Sequence, residues 1–213
     1  MTDFEPGSLD LSGIPRLQPP SFANAYAARA LAREIKNLEE TQTKTPLHEL
    51  GWHMDFGTID NLFQWIVQLH SFDPSLPLAR DMKAAGVTSI VLEIRFGKDY
   101  PMTPPFVRVV RPRFLPFASG GGGHVTAGGA MCMELLTNSG WSAANSMESV
   151  LLQVRMALCS QDPTPAKLQP PPRGSSRGYG DYGVGEAIEA YLRAVRQHGW
   201  EAPADLVTTA NGV

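Results

Sequence analysis

The sequence predicts an α+β fold: an N-terminal helix, a four-stranded antiparallel meander, a long loop bearing a cysteine, and two further helices. Three observations carry this. Apolar residues recur at helical spacing near the start, three short runs then alternate with period two ahead of a fourth strand candidate, and two more helical faces follow separated by glycine- and proline-rich stretches.

The first 21 residues hold several prolines and glycines without apolar periodicity and read as an irregular arm. Ala27, Leu31, Ile35 and Leu38 then share one helical face, and Arg29, Arg33 and Lys36 share another. That basic stripe reads either as a solvated face or as a docking edge. Trp52, Met54 and Phe56, then Phe63, Trp65, Val67 and Leu69, then Ile90, Leu92, Ile94 and Phe96 alternate with more polar neighbours, Glu93 and Arg95 among them. Such alternation predicts a sheet covered on one face. Phe106 to Val110 makes a fourth strand, and the stretch from Pro74 to Gly86 leaves room for a helical turn.

Pro112 to Gly129 contains the unbroken run Gly120 to Gly123 and is expected to be a long loop with a flexible insert. Ser146 is a helix N-cap with Glu148 in the first turn, ahead of a face made by Met147, Val150, Leu151, Val154 and Leu158. A second loop runs from about Asp162 to Gly185. The last helix presents Ile188, Tyr191, Leu192 and Val195 and stops near Gly199. This divides the chain into an arm (1–21), one domain (22–200) and a flexible tail (201–213).

Composition narrows the functions. At 43% apolar the chain can build a core, and a net charge of −3 argues against a general nucleic-acid binder. No apolar run approaches the length needed to cross a bilayer, and the N-terminus has neither the basic start nor the apolar stretch of a secretory signal. Cys132 and Cys159 are the two cysteines, so a reducing compartment, cytoplasm or nucleus, is expected. Two cysteines and five scattered histidines show no zinc spacing, and Gly120 to Gly123 lacks the Lys-Ser/Thr of a phosphate loop, so no metal and no cofactor are expected.

Cys132 follows a glycine-rich loop where another backbone could approach it. With a free pKa of about 8.5 only a small fraction is thiolate at neutral pH. A thioester carrier tolerates this because its substrate is already activated, whereas a Cys-His hydrolase needs a dedicated base. His124 is near in sequence, but sequence proximity is not the mark of that hydrolase class. Cys159 ends an apolar helical face and reads as a core residue.

Tyr100-Pro101-Met102-Thr103-Pro104-Pro105 resembles the Tyr-Pro-Phe-x-Pro-Pro element of ubiquitin-conjugating enzymes. Cys132 stands where their catalytic cysteine stands, with Gly129 three residues before it, and Trp141-Ser142-Ala143-Ala144 is similar to their Trp-Ser-Pro-Ala loop. The motifs fall in the family's order over roughly Asn24 to Trp200. Phe106 to Val110, Gly128 to Thr137 and Trp141 to Ala143 resemble the Q-type branch in particular, which also lacks the His-Pro-Asn tripeptide ahead of the cysteine.

The resemblance implies the fold of that family, with a catalytic domain over residues 22–200, and an enzyme that takes ubiquitin as a Cys132 thioester and passes it to an amine. Implied partners are ubiquitin, its activating enzyme, ubiquitin ligases and protein substrates, with no nucleic acid and no membrane. ATP is consumed by the activating enzyme, not by this chain. In place of the missing asparagine, His124, or secondarily Thr126, would donate to the oxyanion, with backbone N–H groups as the other option. Asp162 is the acid available to position an incoming lysine, although a simple turn residue is the better reading of it. The stripe of Arg29, Arg33 and Lys36, with Met102 and Ala143 in two loops, would meet the activating enzyme and ligases. The alternatives are a non-catalytic binding module, a conjugating enzyme for another ubiquitin-like modifier, and transfer to hydroxyl or N-terminal amine acceptors.

Overall fold

A computed structural model describes residues 3–21, 25–171 and 179–211. Helix α1 (Ala25–Lys44) buries Ala27, Ala30, Leu31 and Leu38 on one face. The short α2 (Leu47–Leu50) ends at Gly51, which leads into the sheet. The strands are β1 (Trp52–His53), β2 (Gln64–Leu69), β3 (Ile90–Arg95) and β4 (Phe106–Arg111), antiparallel throughout and in the order β1-β2-β3-β4. Helix α3 (Pro77–Ala84) fills the connection where a helical turn was expected.

The register places Trp65 opposite Ile94, Val67 opposite Leu92, Ile94 opposite Val107 and Leu92 opposite Val109. These side chains share one face and form a single core with Leu31 and Leu38 of α1. Helix α4 (Met147–Cys159) closes that core with Met147, Val150, Leu151, Val154 and Leu158. Its N-terminus is capped as the sequence predicts: the Ser146 side chain accepts from the Ser149 amide at 3.2 Å, a cap worth about 1 kcal/mol.

The sheet differs from expectation in that its second face is also covered: all six residues of β3 are buried. Over one part lies the N-terminal arm, with Ile14 packed on Val91 and Val110 and flanked by Leu9, Leu11 and Ile66. The arm is irregular, as expected, but it is bound rather than free: Phe4 is buried and stacks on His70 at 4.2 Å. Over the other part lie α5 (Val184–His198) and α6 (Leu206–Asn211), around Phe106, Ala187, Tyr191 and Leu206.

Polar residues on this face are buried because they are paired. Glu93 sits between Arg95 (2.7 Å) and Arg108 (2.6 Å) and accepts from Gln64 at 2.6 Å. Arg108 also donates to the carbonyl of Tyr182 at 2.7 Å, and Arg95 to that of Ala210. A buried charge of this kind survives only when its partners are this complete.

Two other expectations are corrected. The segment after Trp200, expected to be a flexible tail, holds α6 instead, because Leu206 and Ala210 find an apolar seat on the sheet. The apolar alternation from Trp52 to Phe56 yields only a two-residue strand. The Asp55 carboxylate accepts from the Gly57 amide at 3.1 Å and turns the chain into a single 3-10 turn.

Candidate active site

Cys132 ends a small hairpin built on the edge of β4. Its amide donates to the carbonyl of His124 at 2.7 Å, Val125 bridges Met131, and the Thr126 amide donates to Ala130 at 2.9 Å. The hairpin is tied to the strand: Met131 donates to Val107 at 3.0 Å, and Val109 to Gly129 at 2.8 Å. Val125 and Met131 are buried on the inner face. By alternation His124, Thr126, Ala130 and Cys132 take the other face, with Thr126 roughly 7 Å diagonally from Cys132. Gly129 has φ +91, and any side chain there would strike the Tyr182 ring, 2.6 Å from the Cβ position. Glycine is therefore what lets the segment that leads into α5 lie close beside the hairpin.

The Cys132 thiol is half-buried and, among the described residues, unpaired. Burial pushes it above its ordinary value, with no cation among the described residues to oppose the shift. It is thus mostly protonated at neutral pH.

His124 and Thr126 differ in what they can donate. His124 is exposed and has φ +58, unusual for a residue with a side chain. Its Nδ1 lies 3.1 Å from the carbonyl oxygen of Cys132. A carbonyl only accepts, so Nδ1 carries the proton of the neutral ring and Nε2 is left as an acceptor. His124 becomes a donor to a new oxyanion only as imidazolium. The Thr126 hydroxyl, by contrast, is buried with no hydrogen-bond partner among the described residues. An unspent buried hydroxyl costs free energy, and here it shares the cysteine's face.

The glycine run is not a flexible insert. Gly121 and Gly123 are buried, and a Cβ on Gly122 would lie 1.8 Å from the Thr164 carbonyl oxygen. The Thr164 hydroxyl donates to the carbonyl of Gly121 at 2.9 Å. The glycines are thus needed for close backbone packing against the segment that follows α4. Asp162 lies on that segment and is exposed; its amide donates to the Ser160 hydroxyl at 3.4 Å, and the hydroxyl donates to its carbonyl at 3.2 Å. Its carboxylate has no partner among the described residues. Cys159 is half-buried against the core, its thiol likewise raised by burial.

The proposed partner-facing residues gather at one end. Trp141 Nε1 donates to the carbonyl of Pro101 at 2.7 Å, joining the two loops that carry Met102 and Ala143. Tyr100 is buried between Phe96 and Trp141. Glu34 of α1 accepts from the Met147 amide at 2.8 Å, which ties α1 to the start of α4. Met102 is 63% exposed, Ala143 is exposed, and Arg29, Arg33 and Lys36 are all exposed on α1. Arg33 is close enough to Tyr100 to act on it electrostatically.

Sequence reasoning missed Tyr191 as a site neighbour, because its helical spacing marks it only as core. Its hydroxyl donates to the Leu136 carbonyl at 2.8 Å. Burial, and after it the nearby Cys132, hold the phenol above its ordinary range. Among the described residues no group of three or more histidine, cysteine, aspartate or glutamate side chains stands together as a metal site would require.

Residues 87–170 match the family model described as ubiquitin-conjugating enzyme. The chain is 33% identical over 176 residues to the Q-like ubiquitin-conjugating enzyme protein CG4502 of Drosophila melanogaster, an alignment covering 83% of this chain and 53% of that protein. It is 36% identical over 151 residues to ubiquitin-conjugating enzyme E2 Q1 of Homo sapiens, covering 68% of this chain and 32% of that one. It therefore spans about half the length of the first relative and a third of the second. Among solved structures, human ubiquitin-conjugating enzyme E2 G1 superposes with a TM-score of 0.48 at 17% identity, over 66% of this chain and 99% of that chain.

Proposed function

The chain belongs to the ubiquitin-conjugating enzyme family, in its Q-type branch, and on that premise we propose that it accepts ubiquitin as a thioester on Cys132 and passes it to a nucleophile. The observation that carries this reading is the thiol itself. It is half-exposed, on a hairpin fixed by backbone bonds to β4, and the one histidine in that hairpin is directed at a carbonyl. That arrangement suits a carrier acting on activated acyl groups better than a hydrolase.

In the first step the Cys132 thiolate attacks the thioester carbonyl joining ubiquitin to its activating enzyme. A C–S bond forms, the old one breaks, and the activating enzyme's thiolate leaves. In the second step an amine attacks the new thioester, and the electron pair of the breaking C–S bond returns to Cys132. Both steps pass through an oxyanion, and a well-placed donor lowers such a barrier by about 3 kcal/mol. We assign that donor to the Thr126 hydroxyl, with His124 adding to it when protonated. Asp162 is the candidate for holding an incoming lysine.

Arg29, Arg33 and Lys36, with Met102 and Ala143, form the surface we assign to the activating enzyme and to ligases. A basic stripe beside two exposed apolar tips supplies both steering and a desolvated contact.

Incubation with activating enzyme, ubiquitin and ATP tests the reading. A thiol-sensitive adduct that is lost in Cys132→Ala and kept in Cys159→Ala supports it. An adduct that survives Cys132→Ala, or none with any ubiquitin-like modifier, removes it.

A further inference from the structure

We propose that Tyr191 is a positioning residue for Cys132: its hydroxyl, acting through the Leu136 carbonyl, ties the chain just after the cysteine to α5 and so sets where the thiol stands. The consequence for transfer rests on the carrier reading above; the tie itself does not.

Helix α5 meets the cysteine's segment from both sides. Before the cysteine, a Cβ on Gly128 would lie 2.0 Å from the Glu186 carbonyl oxygen and 2.9 Å from the Ala190 Cβ, so the hairpin rests directly on α5. After the cysteine, the chain passes through Met133 into the single 3-10 turn Glu134–Leu136. The carbonyl that ends this turn, that of Leu136, accepts from the Tyr191 hydroxyl at 2.8 Å, and no backbone amide among the described residues donates to it. Leu136 and Tyr191 are both buried. Without the hydroxyl, a carbonyl would be left away from water with no donor, which the chain relieves by moving. A second tie follows at the surface, where the Asn138 amide donates to the Glu201 carbonyl at 3.0 Å and the Glu201 amide to the Ser139 hydroxyl at 3.2 Å.

Tyr191 can hold the turn because it is itself held. Its ring meets Phe106 of β4 edge to face, with centroids 6.1 Å apart and planes at 87°. The next residue of β4, Val107, accepts from the Met131 amide of the hairpin at 3.0 Å. Strand, hairpin, turn and α5 therefore close into one frame that carries Cys132. The phenol is held above its ordinary range by burial and, after it, by Cys132, which is near enough for its charge to be felt. It keeps its proton at neutral pH and stays a donor.

The hairpin alone holds the cysteine less firmly. The Cys132 amide is bonded to the His124 carbonyl at 2.7 Å, but the group on the Cys132 carbonyl is the His124 ring, which is exposed and competes with water. The direction in which the chain leaves Cys132 is set by the turn, and the turn by Tyr191. Loss of that tie lets the half-buried thiol move outward, where a small reagent reaches it more easily and a large thioester is met in the wrong geometry.

Tyr191→Phe keeps the ring and its contact with Phe106 and removes only the hydroxyl. Two rates test it: alkylation of Cys132 and of Cys159 by iodoacetamide in the unloaded protein, each read by peptide mass, and single-turnover charging over a range of activating-enzyme concentrations. The expected result is alkylation about tenfold faster at Cys132 and unchanged at Cys159, with a maximal charging rate about tenfold slower at an unchanged half-saturating concentration. Ser139→Ala, at the exposed second tie, should shift both rates in the same directions by less, and it decides the matter should Tyr191→Phe fail to fold. Equal changes at both cysteines, no change at Cys132, or faster alkylation with charging unaltered overturns the proposal. Failure of the parent to form a thiol-sensitive adduct overturns the carrier reading, and the alkylation rates still decide whether Tyr191 holds the cysteine.

Discussion

The Nδ1 atom of His124 lies 3.1 Å from the carbonyl oxygen of Cys132, while the Cys132 amide returns a 2.7 Å bond to the His124 carbonyl. The two residues thus brace the open end of one hairpin, and the proton of the neutral imidazole is committed to that brace. What remains for chemistry is Nε2, an acceptor until the ring is protonated.

This separates two donors by what each has left to give: the Thr126 hydroxyl is unpartnered among the described residues, and the His124 Nδ1 proton is taken. Thr126→Val should slow discharge to a free amine by about 100-fold at any pH, because a hydroxyl donor does not titrate. His124→Ala should cost less than Thr126→Val, because the imidazole proton is already committed to the Cys132 carbonyl. Single-turnover discharge rates from the charged protein, measured separately from charging, check both.

Charging itself should depend on pH in one direction. Burial raises the Cys132 thiol, so the reactive thiolate is scarce at pH 7. The single-turnover rate of thioester formation should climb continuously from pH 7 and keep rising past about pH 9.5, where an ordinary cysteine near 8.5 levels off. A plateau by about pH 9 would contradict a thiol raised by burial.

Removing one member of the buried ion cluster should be costly. Glu93→Ala leaves Arg95 and Arg108 desolvated without their carboxylate. A loss of about 3–5 kcal/mol in urea unfolding is expected. Hydrogen exchange should rise first in α5 and α6, because those arginines hold Tyr182 just ahead of α5 and Ala210 within α6.

The arm should loosen in acid. His70 is held down to about 4, chiefly by burial, with Arg155 and His53 adding to the effect against a backbone contact at Trp52. Its value in the unfolded chain is near 6.5. The folded state therefore binds fewer protons between those values, and stability present above pH 6.5 is lost as pH falls toward 4, by about 3 kcal/mol at most. Phe4, stacked on that ring at 4.2 Å, ties the arm to it. Phe4→Ala should cost about 3 kcal/mol, and denaturant titrations at pH 7 and pH 5 check both statements.

The inner layer of the fold was legible because its signal is local. Leu31 and Leu38, Trp65 and Val67, Val150 and Val154 each follow the period of their own element. The outer layer was not. Glu93, Arg95 and Arg108 look like a wet face to any alternation rule, and only pairing across strands with the approach of α5 and α6 buries them. Leu206 and Ala210 are too few to mark a helix by period; they are held by a seat that distant residues build. At the candidate site, Cys132 and the loops of Met102 and Ala143 are picked out by ordered motifs in the sequence. The packing of Gly122 against Thr164 and the turn of His124 toward a carbonyl could not, since both are contacts between separate segments with no periodic trace.

The most direct measurement of the central claim is charging of Cys132→Ser with activating enzyme, ubiquitin and ATP, read by intact mass before and after treatment with thiol and then with mild hydroxide. The account predicts one ubiquitin added, stable to thiol and released by hydroxide, with the ester mapped to position 132. A serine variant that acquires no ubiquitin while the parent charges at Cys159 would contradict it.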